Sequence, residues 1–143
     1  MKFWDASALV PLLVPEIQSD YCLKTLKGDQ EVLLWCLSRV EVISALTRRL
    51  RDETLGFDRF QEAKMRLGHI MESAYQITAL DKVIYRAVRL LEVHPLRGAD
   101  ACQLGSCLIA TQEDPGRLPI ICFDQRLKEA AMKEGFVVNP PDA

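Results

Sequence analysis

The run Leu-Pro-Ile-Ile-Cys-Phe at positions 118–123 constrains the fold of this chain more than any other feature. It shows no polar–apolar alternation and is rich in β-branched residues, so both of its faces must be covered, as in a central strand of a parallel sheet. Shorter apolar runs at Lys2–Trp4, Val32–Trp35, 77–80 and 136–138 read as further strands. Segments of helical period lie between them. In Ser38–Arg51 the positions Val40, Ile43, Leu46 and Leu50 follow a three-to-four spacing. In 58–74 the residues Phe60, Ala63, Met65, Leu67, Ile70, Met71 and Ala74 form a broader stripe, and in 81–93 Val83, Ile84, Ala87, Val88 and Leu91 repeat it. Residues 100–111 are apolar almost all round, which predicts a buried helix. Strands alternating with helices make β-α units and a parallel sheet covered on both faces, so the reading is one α/β domain spanning 1–143.

Composition narrows the classes further. With 143 residues, 49% of them hydrophobic, the chain can bury a core without a disulfide or metal staple. Lys and Arg number 18 against 20 Asp and Glu, and 18 − 20 gives a net charge of -2, which removes a globally basic surface as a route to nucleic acid. A local patch or bound metal ions remain. The 5 cysteines (Cys22, Cys36, Cys102, Cys107, Cys122) are an odd number set in apolar segments, with no C-x-x-C pair and no neighbouring His. Reduced, mostly buried thiols are expected, and zinc is not. The opening MKFWDASALVPLLVPE is broken by acids and prolines too early for a signal peptide, and no apolar run approaches the roughly 18 residues of a membrane span. A soluble, cytoplasmic protein is expected.

Most catalytic motifs are missing. No glycine-rich phosphate loop follows a strand, there is no G-x-S-x-G elbow, and His69 and His94 both sit in or at the end of helical segments, as packing or surface residues. The carboxylates differ. Asp5 follows the first strand at once and Asp124 follows the long apolar run in the same way, at the carboxyl ends of strands where open α/β sheets bind ligands. Asp100 opens an apolar helix, and Glu41 lies in the first turn of the helix after the second strand. Singly, each acid is explained as an N-cap, a dipole partner or part of a solvent face. Together they point to one edge of one sheet. Carboxylates that close repel one another unless cations sit between them, and hard oxygen ligands without Cys or His select Mg²⁺ or Mn²⁺. Such ions activate a water and stabilise the leaving oxygen of a phosphodiester.

These segments resemble the PIN-domain ribonucleases, and among them the toxins of VapC type, over nearly the whole chain. FWDASALVPLLVPE is similar to the first motif of that family, SRVEVISAL to the second with Glu41 as its acid, LRGADACQLGSCLIA to the third with Asp100, and ICFDQRLKEAAMKEG to the fourth with Asp124. The resemblance implies a three-layer α/β/α sandwich with a parallel sheet of about five strands. It implies that Asp5, Glu41, Asp100 and Asp124 bind Mg²⁺ or Mn²⁺ and direct a water at RNA phosphorus, with Ser7 orienting Asp5. It also implies a homodimer held in check by a cognate antitoxin, with tRNA, ribosomal RNA loops or mRNA as substrate. One position departs: the family commonly has Thr or Ser two residues before its fourth acid, and here that residue is Cys122.

The rival reading is a PIN-like binding module without activity, which only Cys122 favours. A phosphotransfer domain using Asp5 as nucleophile would need a Lys or second Asp close behind it, where Ala, Ser, Ala, Leu and Val follow. The cations Arg39, Arg48, Arg49, Arg51, Arg59, Lys64 and Arg66 are interleaved with acids and read as a solvated helix pair. Met65, Met71 and Phe60 read as helix-pair packing, and Trp4 and Trp35 as buried strand ends.

Overall fold

The computed structural model describes residues 1–141. In chain order the elements are β1 (Lys2–Trp4), α1 (Ala6–Leu13), α2 (Ser19–Gly28), β2 (Val32–Trp35), α3 (Ser38–Arg51), α4 (Phe57–Ser73), β3 (Tyr75–Ile77), α5 (Leu80–Val93), α6 (Gly98–Ala110), a 3₁₀ turn (Pro115–Arg117), β4 (Ile120–Ile121), α7 (Gln125–Lys133) and β5 (Val138–Asn139). The strands form one parallel sheet in the order β3-β2-β1-β4-β5. Strand order therefore reverses at β1, which pairs with β2 on one side and β4 on the other. That switch point opens a crevice at the carboxyl ends of β1 and β4.

Successive strand residues face opposite layers. Phe3, Leu33, Trp35 and Ile120 join Val83, Ala87, Leu104 and Leu127 of α5, α6 and α7 in one core. Trp4, Val32, Leu34 and Ile121 join Leu9, Cys22, Val42, Leu46 and Leu67 of α1 to α4 in the other. This period-two division of apolar side chains is why the strand runs show no polar face: each has two apolar layers to fill. The expected three-layer sandwich is the observed one, and both tryptophans are buried.

Some boundaries move. The expected strand at 77–80 lies earlier, because β3 is an edge strand that carries exposed Tyr75 and Gln76, while Leu80 already starts α5. The run 118–123 contributes only Ile120–Ile121 to the ladder, and the expected strand at 136–138 shifts to Val138–Asn139 with Phe136 buried beneath it. Helix α1 has no polar face and contains Pro11, and α2 buries only Cys22 fully, so neither carries a periodic signature. Five stripe residues face solvent instead of the core: Val40, Met65 and, on α5, Ile84, Val88 and Leu91. Among the described residues no helix is long and apolar enough to cross a membrane.

Candidate active site

A cleft of about 910 Å³ opens at the switch point, and Asp5, Glu41, Asp100 and Asp124 all line it. Each arrives from a different element. Asp5 ends β1 and caps α1, its carboxylate accepting the Ser7 amide at 3.1 Å. Asp124 follows β4 and caps α7, accepting the Leu127 amide at 2.9 Å. Glu41 lies in the first turn of α3 and Asp100 in the first turn of α6. Capping and cleft-lining are thus compatible, because a residue that caps a helix starting at a strand's carboxyl end necessarily faces the crevice.

Ser7 ties the first and fourth segments together. Its hydroxyl donates to Asp5 Oδ2 at 2.6 Å and accepts the Phe123 amide at 2.9 Å. The Cys122 thiol, where a hydroxyl was expected from the family pattern, lies 3.6 Å from Asp5 Oδ2 and 3.5 Å from the Asp124 carbonyl oxygen, so it is a weak donor beside Asp5. A residue that the sequence reading missed supports Glu41: the Gln103 amide donates to its carboxylate. The one sequence sign was a polar side chain three residues after Asp100 on an otherwise apolar helix.

The electrostatics are those of crowded acids. Burial raises the Asp5 carboxyl above its usual range, and Asp100 adds to this while the Ser7 hydrogen bonds oppose it. Burial also pushes Glu41 up to about 7, reinforced by Asp5 and Asp100 and opposed by Gln103. Asp100 is raised by burial and by Asp124, against the pull of Arg97 and Arg126. Each of these three acids is destabilised in its charged form, and a cation among them would relieve all three.

The donor set suits a hard divalent ion. Among the described residues no three Asp, Glu, His or Cys side chains are grouped so that together they could hold a metal ion. Mg²⁺ does not require such a group: it commonly binds through one or two carboxylates and completes its shell with water and substrate phosphate. Four acids around an open cleft, free of Cys and His ligands, fit that mode. Cations border the acids. Arg97 and Arg126 lie beside Asp100, and Arg48 and Arg49 line the cleft from α3, with Arg49 ion-paired to Glu16. So two of the seven cations read as a solvated helix pair belong to the cleft wall. The other five, Arg39, Arg51, Arg59, Lys64 and Arg66, are exposed. His69 is exposed and His94 is buried against Glu134 at 2.8 Å, both away from the cleft lining.

A parallel α/β/α sandwich with four acids at its switch point defines a PIN-type domain. Solved structures agree on the fold: a toxin–antitoxin complex from Klebsiella pneumoniae superposes with a TM-score of 0.64 at 14% identity, over 90% of both chains. FitAcB from Neisseria gonorrhoeae gives 0.66 at 13% identity over 96% of each chain, and PAE2754 from Pyrobaculum aerophilum 0.62 at 22% identity over 96% of this chain and 82% of that one. No family model matches the chain. Among curated proteins, Ribonuclease VapC45 and Ribonuclease VapC49 of Mycobacterium tuberculosis are each 31% identical over 140 residues, 98% of this chain and 95% of theirs. The chain belongs to the VapC ribonuclease family.

Proposed function

We propose that this protein is a metal-dependent endoribonuclease that hydrolyses RNA phosphodiester bonds in the cleft, with Asp5, Glu41, Asp100 and Asp124 as the Mg²⁺- or Mn²⁺-binding acids. The observation that carries the reading is the convergence of these acids, from four separate elements, on one cleft bordered by arginines. The names of the mycobacterial relatives support the ribonuclease activity. A divalent cation bound there supplies a polarised attacking water and positive charge at the transferring phosphoryl group. The chain's own residues do the rest. Ser7 holds the Asp5 carboxylate in one orientation, and the α7 amide of Leu127 holds Asp124. Arg97 and Arg126, both exposed beside Asp100, meet the phosphates of the incoming strand, so an acidic protein still attracts RNA where it cuts.

The toxin assignment extends this reading: the protein acts in the cytoplasm and is silenced by a cognate antitoxin. Its fold neighbours include a toxin–antitoxin complex. It acts as a homodimer, supported by an apolar row on α5 (Leu80, Ile84, Val88 and Leu91) that stands exposed among the described residues.

Purified, partner-free protein incubated with total cellular RNA tests the activity. Discrete fragments are expected with Mg²⁺ or Mn²⁺, none with EDTA, and none from Asp100→Asn in the presence of metal. Fragments that persist in EDTA would refute the metal-dependent reading. Absence of cleavage together with absence of metal binding by calorimetry would leave a binding module.

A further inference from the structure

Gln103 is wholly buried on α6, among neighbours Ala101, Leu104, Cys107 and Leu108 that belong to the apolar core. Its Nε2 donates to Ser38 Oγ at 2.9 Å and to Glu41 Oε2. Its own Oε1 has no hydrogen-bond partner. Ser38 and Glu41 belong to α3, which packs in the layer opposite α6, so this one amide links the two layers at the end of the sheet where the acids gather. Packing alone does not account for it. A Leu or Met would fill the same space without burying an amide whose carbonyl finds no donor. Glu41 sets the orientation: turned over, the amide would present its oxygen to the charged Glu41 carboxylate and lose that hydrogen bond.

We infer that Gln103 is a positioning residue for the metal site, holding the Glu41 carboxylate in register with Asp100, which stands one turn earlier on Gln103's own helix. The inference rests on the carboxylate metal site proposed above. Through Gln103, the second acid is placed relative to the third by a rigid element instead of by its own flexible side chain. A neutral donor on one carboxylate oxygen leaves the other free as a ligand and favours the charged form that a cation needs. Ser38 accepts the second amide hydrogen and keeps the Gln103 head group from rotating away.

The test is Mn²⁺ titration by calorimetry of wild-type protein, Gln103→Met and Ser38→Ala, beside thermal unfolding of each in EDTA. Gln103→Met should keep or raise the metal-free unfolding temperature while Mn²⁺ affinity falls on the order of 10–100-fold, the range for lost hydrogen-bond partners of metal ligands. Ser38→Ala, which frees the amide from one of its acceptors, should lower affinity by a smaller factor. Unchanged Mn²⁺ affinity in Gln103→Met would overturn the role, as would a loss that only parallels a lower unfolding temperature in both variants. Wild-type protein that binds Mn²⁺ no better than Asp100→Asn would instead overturn the metal site itself, and the role of Gln103 with it.

Discussion

Glu41 shows what burial among like charges does to a single residue. Its carboxyl titrates at 4.5 in an ordinary setting and at about 7 in the fold. Between those values the folded protein still holds a proton that the unfolded chain has released. Metal-free stability therefore falls as pH rises through that window, and below 4.5 the penalty is absent. Asp5 and Asp100 are shifted in the same direction and add to the fall. Unfolding in EDTA should thus occur at a lower temperature at neutral pH than near pH 5, by about a few degrees, and Glu41→Gln should flatten part of that slope. A saturating divalent cation should restore the loss at neutral pH. An unfolding temperature that rises from pH 5 to neutrality in EDTA would contradict this. That the four acids line one cleft was legible in the sequence, because strand ends and first helical turns carry recognisable neighbours. Gln103 was not. Its partners Ser38 and Glu41 lie 65 and 62 residues away in the chain, and the local sign, a polar side chain on an apolar helix, does not name them.

At the scale of elements, Asp124 is both the N-cap of α7 and a cleft acid, and substitutions separate the two. Asn retains a side-chain oxygen for the Leu127 amide, whereas Ala does not. Asp124→Asn should unfold close to wild type yet lose RNA cleavage. Asp124→Ala should lose cleavage and also about 1 kcal/mol of stability, read by urea denaturation. Equal stability of the two variants would show that the cap contributes nothing. Element existence was read well where periodicity was strong: α3 carries the expected bounds, and α4, α5 and α6 differ from the expected bounds by one or two residues. Periodicity gave nothing for α1, which only the N-cap reading of Asp5 marked, or for α2. An apolar helix with Pro11 inside it has no face to contrast, and a largely solvated helix with one buried Cys22 has too little apolar surface to show a period.

At the scale of the whole molecule, an apolar face of α5 has no covering layer among the described residues. On α5 the residues Val83, Ala87 and Leu90 enter the core, while Ile84, Val88 and Leu91 point outward at 52%, 51% and 42% exposure. In sequence Val83, Ile84, Ala87, Val88 and Leu91 read as one stripe. Those five apolar residues on a two-sided helix do not say which side faces the sheet. If a second copy covers the outward row, Val88→Glu should convert a dimer into a monomer in light scattering, with cleavage lowered and the unfolding of the isolated domain little changed. A wild-type monomer at micromolar concentration would refute the dimer. Patterning by itself determined that the chain folds as a parallel α/β domain, since apolar runs with no polar face can be satisfied only between two helical layers. Local chemistry likewise marked the four acids, because each stands at an element boundary. Only the tertiary structure decided that those boundaries meet at the β1–β4 switch point, that Arg48 and Arg49 border the acids, and that Gln103 reaches Glu41. Strand order, which the chain settles by long-range pairing, brings residues far apart in sequence within hydrogen-bond reach, and no window of neighbouring residues encodes that.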